Sequence, residues 1–371
     1  MGRINRIMFV SPKIAGGGAE RVVSVLCSSL ADLGYYVDLI LYERNTNEYS
    51  ISNKVHVHVL PKNDKGENRL VYYLKKLLLL RRIIKDNHPD VLIPFLPYQV
   101  EHTFFASRGL NIPMVVTVRN NPMFDTKNDK QRKMRDWIAQ HTEGVFLQTE
   151  TQKEYFTAKI KEKCFTIANP VNENILNAEY SVRNQIKRII TVGRLEEQKN
   201  FSMLIDAFRI VKNNHQELTL DVYGEGTLRQ QLQDQIDTLG LHDSIKLCGR
   251  TNDIVDTLTE HDLFIMSSNF EGMPNALMEA MGVGLPCIST DCPTGPRELI
   301  GKNERGILVE IGSTDGLVTA LNYSIMEPEE MKTKAEAGRQ YIRQTFSPDK
   351  IARALVDELE KMRSQYTVGK A

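Results

Sequence analysis

Cysteine is scarce in this sequence and net charge is absent. The five cysteines (Cys27, Cys164, Cys248, Cys287 and Cys292) are odd in number and form no Cys-x-x-Cys pair. This argues against a disulfide framework or a structural zinc, and for a reducing compartment. Lys+Arg and Asp+Glu both number 47 in 371 residues, so no global field draws the chain onto nucleic acid. Any electrostatic attraction has to be local. No stretch reaches the roughly 18 apolar residues of a membrane span, and "MGRINRIMFVSPK" holds too short an apolar run for a signal peptide. A cytoplasmic chain is expected, free to touch a membrane surface peripherally. Gly-x-Gly-x-x-Gly is missing as well, which weakens a dinucleotide site.

What is present is alternation. With 41% hydrophobic residues the chain can build two cores of ordinary size. "RIMFVSP", "YYVDLILYE", "VHVHVL", "DVLIPFL", "PMVVTVR" and "GVFLQT" read as strands; "AERVVSVLCSSLADLG" and "RLVYYLKKLLLLRRIIKDN" read as helices between them. A second series runs "KRIITVGR", "LTLDVYG", "SIKLCG", "DLFIMSS" and "PCIST", with helices such as "FSMLIDAFRIVKNN" between. This rhythm implies α/β architecture: two Rossmann-like, doubly wound domains with parallel sheets, facing a central cleft. The boundary is expected between Asn169 and Ala178, giving domains 1–170 and 171–347. The last helix, 348–366, has no strand to follow and can pack on either domain, the first included.

Chemistry concentrates where strands end. "SPKIAGGGAERV" puts Gly16, Gly17 and Gly18 at a helix start, where backbone can approach a ligand. "ITVGRLEEQKN" offers Gly193, Arg194 and Lys199; the two cations suit a diphosphate. "VYGEGTLRQQL" adds Gly224 and Gly226, and "LCGRTNDI" adds Arg250 to Ile254. "SSNFEGMPNALMEAMGVGLPCIST" then sets Glu271 and Glu279 on either side of a helix start, with Gly272, Met273, Pro274, Asn275 and Ala276 between. Pro274 suits the first helical turn. Open N–H groups at that turn attract phosphate, whereas carboxylates accept from hydroxyls. A ligand with a central diphosphate and polyols at both ends, a nucleotide sugar, wants that mixture.

"EGMPNALMEAMGVGLPCIST" resembles the acid-x7-acid motif of the large retaining glycosyltransferase family four, which has the two-Rossmann GT-B fold. "GGGAERV", "VGRLEEQKN", "VYGEGTLR" and "LCGR" match its other landmarks in order, over nearly the whole chain. The resemblance implies that Glu271 binds donor-sugar hydroxyls, Glu279 the ribose, and Arg194 and Lys199 the diphosphate. It also implies that 250–254 frames the base, and that Gly16–Gly18 lies against the phosphate or the acceptor. Where many members carry a histidine, "PMVVTVRNNPMF" has Arg119 and Asn120. Arginine is no general base, so Arg119 is expected to bind a phosphate, with His102 as the alternative. The family mechanism, attack on the face the diphosphate leaves, needs no dedicated base. No Asp-x-Asp follows an apolar strand, so no cofactor and no metal are expected, with Arg194, Lys199 and the helix dipole in their place.

"STDCPTGPRELI" resembles members that build surface polysaccharides or lipid-linked oligosaccharides, often from UDP-hexoses or UDP-N-acetylhexosamines. The implied acceptor is a glycan or a polyprenyl-diphosphate-linked glycan. "YYLKKLLLLRRIIK", basic and apolar together, suits an anionic inner-membrane surface; its leucines also suit the sheet of the first domain. Three other readings stand beside transfer: a nucleotide-sugar epimerase on the same fold, a non-catalytic nucleotide-sugar sensor, and an NAD-dependent enzyme.

Overall fold

The computed structural model describes residues 3–45, 48–62, 68–251 and 253–368. The chain divides into two compact units, Met1–Pro170 with Pro348–Ala371, and Val171–Ser347. The first carries β1 (Arg6–Ser11), β2 (Tyr36–Leu41), β3 (His56–Val59), β4 (Val91–Pro94), β5 (Val115–Thr117), β6 (Gly144–Leu147) and β7 (Cys164–Thr166). Their order is β3-β2-β1-β4 in one sheet and β5-β6-β7 in another, with an isolated parallel bridge from Leu92 to Met114 between them. All pairings are parallel. Met8, Val10, Leu92, Val116 and Val145 anchor its core. The last helix, Pro348–Val368, belongs to this unit. It packs on the helix Gly18–Asp32, and the Arg363 guanidinium lies 2.7 Å from Asp90.

The second unit carries β8 (Arg188–Val192), β9 (Thr219–Tyr223), β10 (Ile245–Gly249), β11 (Leu263–Met266), β12 (Cys287–Thr290) and β13 (Ile307–Val309). They form one parallel sheet in the order β10-β9-β8-β11-β12-β13. The chain lays β9 and β10 on one side of β8, then crosses to β11 on the other. In open α/β sheets the carboxyl ends flanking such a reversal are where ligands bind. Here those ends lead into Gly193–Lys199 and Ser267–Pro274. The helix Phe201–Lys212 starts between them. Phe201, Leu204, Ile205, Phe208 and Val211 recur at helical spacing and are buried. Asn200, at φ +47°, caps the helix by accepting from the Met203 N–H, a backbone conformation asparagine tolerates.

β7 and β13, three residues each, are unread by strand patterning because "CFT" and "ILV" are too short to show a period.

At the amino end of the first sheet Asp38 is wholly buried on β2. It accepts from Arg6 Nε at 2.6 Å and His58 Nε2 at 2.8 Å. Burial pushes its pKa up; the hydrogen bonds from His58 and Arg6 outweigh burial and hold it below the usual carboxylate value. A depressed folded pKa stabilises above the unfolded value of about 3.9 and loses that contribution as pH falls through the folded value. Asp38→Asn should therefore cost about 2 kcal/mol at pH 7 and progressively less below about pH 4. Urea unfolding across that range checks it; an equal loss at every pH contradicts it.

Candidate functional site: the strand ends of the second unit

Glu271 lies in the loop after β11 and is 6% exposed. Its Oε1 accepts from Lys199 Nζ at 2.5 Å and from Ser268 Oγ at 2.7 Å. Among the described residues Oε2 has no hydrogen-bond partner, and it is not among the buried unsatisfied atoms. One carboxylate oxygen is thus fixed and the other is open to an incoming hydroxyl. Lys199 reaches Glu271 because Gly193 leaves room: a Cβ there would stand 3.0 Å from Lys199 Cε. Gln198 braces the same loop, donating through Nε2 to the Phe270 carbonyl at 2.9 Å.

Arg194 leaves the end of β8 exposed, beside Glu196 at 3.1 Å and with Nη2 3.4 Å from Gln198 Oε1. The structure thus ties both expected diphosphate cations to acids, Lys199 closely to Glu271 of the loop after β11 and Arg194 at the surface to Glu196 of its own loop.

The helix Asn275–Val283 follows, closed at Gly284 in the left-handed region at φ +97°. Pro274 is its N-cap, not a residue of its first turn: ψ of 104° keeps it extended. Proline supplies no side-chain acceptor there, so Pro274 leaves the helix start without a side-chain cap. Gly272, Met273 and Pro274 are buried, Asn275 and Ala276 half-buried. Glu279 is buried in the second turn.

The glycines at the neighbouring strand ends answer to packing. A Cβ on Gly224, at φ +145°, would stand 1.7 Å from the Gly193 carbonyl oxygen. Gly193 N–H in turn donates to Tyr223 O, and Gly224 N–H to Gly249 O. These loops are zipped to each other by backbone, a role sequence reading assigns to a ligand. Arg250 is exposed beyond Gly249, and Ile254 opens the short helix Ile254–Thr259, capped by Asp253. Asn252 in that loop lies outside the described residues.

In the first unit, Gly16 turns at φ +81°, Gly17 caps and Gly18 starts the helix Gly18–Asp32. Glu20 Oε2 sits 2.2 Å from where a Gly17 Cβ would be. The room that sequence offers to a phosphate here holds a carboxylate of the helix's own first turn. Arg119 follows β5 with its guanidinium between the rings of Phe95 and Phe146, at 4.8 and 4.9 Å. Nη2 donates to Asn169 Oδ1, while Nε and Nη1 are buried without a hydrogen-bond partner among the described residues. Burial pushes its pKa down to about 9, against the pull of Asp125. The expected phosphate clamp is therefore turned inward, because two aromatic faces on β4's loop and β6 outcompete solvent for it. His102 is fully buried, 3.0 Å from Tyr42 Oη; burial, then Lys76, pushes its pKa down to about 4. It stays neutral at pH 7 inside the helix Pro97–Ser107.

The family models divide the chain as its units do. One described as glycosyl transferases group 1 matches residues 174–341, and one described as Glycosyltransferase Family 4 matches 16–174. The chain belongs to the family-four glycosyltransferases. An amylovoran biosynthesis glycosyltransferase, AmsD, from Erwinia amylovora is 29% identical over 87% of this chain and 91% of that relative. A Campylobacter jejuni relative, the N-acetylgalactosamine-N,N'-diacetylbacillosaminyl-diphospho-undecaprenol 4-alpha-N-acetylgalactosaminyltransferase, is 27% identical over 92% of this chain and 95% of its own. Anabaena HepE, solved with UDP and glucose, superposes with a TM-score of 0.80 at 19% identity, covering 95% of this chain and 99% of HepE. That likeness shows the GT-B fold. Sequence reasoning missed Ser268, Gln198 and Thr294, whose hydroxyls and amide reach the Glu271 loop; only Ser268, three residues before Glu271, left a local signal.

Gly224→Ala should destabilise the glycosyltransferase's second unit by about 3 kcal/mol or more, since backbone cannot yield to the new methyl. Gly240→Ala, also left-handed at φ +67° but with nothing within 4 Å, should cost about 1 kcal/mol. Thermal unfolding of the two variants checks this; equal losses would mean that strain, not the zipped loops, sets the need for glycine.

Proposed function

We propose that this glycosyltransferase moves a hexose or N-acetylhexosamine from a UDP-sugar to a glycan or lipid-linked glycan, with retention of anomeric configuration and without a metal. The observation that carries it is the Glu271 carboxylate, with Oε1 held by Lys199 and Ser268 and Oε2 open, in the loop that leads to the uncapped start of Asn275–Val283. The diphosphate rests at that start near Asn275 and Ala276. Arg194 and Lys199 supply positive charge, Glu279 takes the ribose, and Glu271 takes donor-sugar hydroxyls. The acceptor attacks the anomeric carbon as the bond to the diphosphate breaks, on the same face, and the departing phosphate takes the acceptor proton. The protein contributes positioning and charge stabilisation. Support for UDP comes from HepE, solved with UDP and glucose; support for the acceptor comes from the names of the Campylobacter and Erwinia relatives.

The first unit takes the acceptor in this reading. The helix Arg69–Asn87 divides its leucines: Leu80 is buried in the core, while Leu70, Leu74 and Leu78, spaced four apart, form an exposed stripe. Lys75, Arg82 and Lys85 are on the same helix, and the adjoining helices expose Phe105, Met134 and Trp137. No described helix is long and apolar enough to cross a membrane. An apolar stripe flanked by bases suits contact with an anionic cytoplasmic leaflet that carries the acceptor.

Calorimetry with UDP, GDP, ADP and NAD⁺ in EDTA tests the donor site. UDP should bind, and Glu279→Ala should weaken it by about tenfold or more, the loss of a hydrogen bond to a charged group. Binding of NAD⁺ alone, or of nothing without metal, contradicts it. Cosedimentation with phosphatidylglycerol and phosphatidylcholine vesicles tests the surface. The anionic vesicles should retain the protein, and Leu74→Glu with Leu78→Glu should release it; no preference between vesicles contradicts the contact.

A further inference from the structure

We infer that the segment Thr290–Thr294 is a strap that sets the position of Glu271, with Thr294 and Ser268 as positioning residues for sugar transfer; this rests on the reading of Glu271 above. Three side chains of the strap, none more than 2% exposed, donate to the backbone of the Glu271 loop. Thr290 Oγ1 reaches the Ser268 carbonyl at 2.6 Å, and Cys292 Sγ reaches the same oxygen at 3.2 Å. Thr294 Oγ1 donates to the carbonyl of Glu271 itself. Gly295 then lies so close that a Cβ would stand 2.2 Å from the Gly272 carbonyl oxygen and 2.8 Å from Pro274 Cδ. The loop is thus held from β12 on its backbone side, while Ser268 Oγ and Lys199 Nζ hold the carboxylate from its side-chain end.

The two holds act on different freedoms. Thr290 and Cys292 fix where the loop leaves β11. Thr294 fixes the peptide plane after Glu271, and so the direction of its Cα–Cβ bond. Ser268 and Lys199 fix the carboxyl rotation and leave Oε2 outward. A carboxylate that must meet hydroxyls with sub-ångström accuracy needs both. Burial pushes the Cys292 thiol up to about 12, with Glu271 adding to the rise, so it stays protonated and able to donate. A bridging hydroxyl that holds backbone and touches no substrate contributes to turnover without contributing to nucleotide affinity.

Thr294→Val, Thr294→Ser and Ser268→Ala test the strap, with Glu271→Gln alongside. UDP affinity is read by calorimetry, and UDP release is read as donor hydrolysis, with water in the acceptor's place taking the sugar, from an equimolar mixture of UDP-glucose, UDP-galactose and their N-acetylated forms. Thr294→Val should keep UDP affinity within about twofold yet slow UDP release by up to about a hundredfold, the scale of a 1 Å misplacement. Thr294→Ser, which restores the hydroxyl, should recover most of the rate. Ser268→Ala should slow release in the same sense, which keeps the test open should Thr294→Val fail to fold. If Glu271→Gln abolishes release while Thr294→Val and Ser268→Ala do not, the strap is overturned and the site stands. A parallel loss of UDP affinity and rate in the folded variants also overturns it. If the unaltered protein releases no UDP, or Glu271→Gln matches it, the reading of the site has failed and the strap falls with it.

Discussion

The ion pair between Lys199 and Glu271 spans the reversal in strand order of the second sheet, joining the loop after β8 to the loop after β11. Buried pairs of this kind add little net stability, since desolvation offsets most of the attraction. Their effect is geometric. Gly193 lacks a side chain so that the lysine stem can pass; Gln198, Ser268 and Thr294 hold the glutamate's loop and carboxyl from three directions. Around that pair the sheet supplies an uncapped helix start and an exposed arginine. Groups suited to a polyol and to a diphosphate are therefore gathered within one unit.

The two units treat charge differently. The second leaves Arg194 exposed at a strand end and pairs Lys199 with Glu271. The first turns Arg119 and His102 inward: Arg119 lies between two phenylalanine rings, and His102 is buried and neutral among tyrosines. Such groups are costly to bury with donors unmet, and Arg119 retains two unmet donors. With neither group presented as a base, a mechanism in which the leaving phosphate takes the acceptor proton asks for nothing the chain lacks.

The doubly wound architecture was legible because strand, glycine turn and helix recur locally; the reversal in strand order that flanks the site appears only in the fold. The pairing of Lys199 with Glu271 was not legible, because 72 residues separate them and a lysine after a strand reads equally well as a phosphate ligand. Thr294, 23 residues beyond Glu271, carries a hydroxyl whose partner only the fold supplies. The inward turn of Arg119 was illegible for the same reason: Phe95, just after β4, and Phe146, on β6, lie far from it in sequence. Gly17 and Gly224 were visible as glycines but not for what they admit, a neighbouring carboxylate in one case and a neighbouring carbonyl in the other. Residue type shows that space is needed; packing decides what fills it.

A double-mutant cycle on Lys199→Met and Glu271→Gln, read as kcat/KM for UDP release, tests the central pair most directly. If the pair works as one unit, each single change removes nearly all that the double change removes, with a coupling of about 2 kcal/mol or more. Effects that add to within about 0.5 kcal/mol would show that lysine and glutamate act on the donor separately, and that the contact between them does not organise the site.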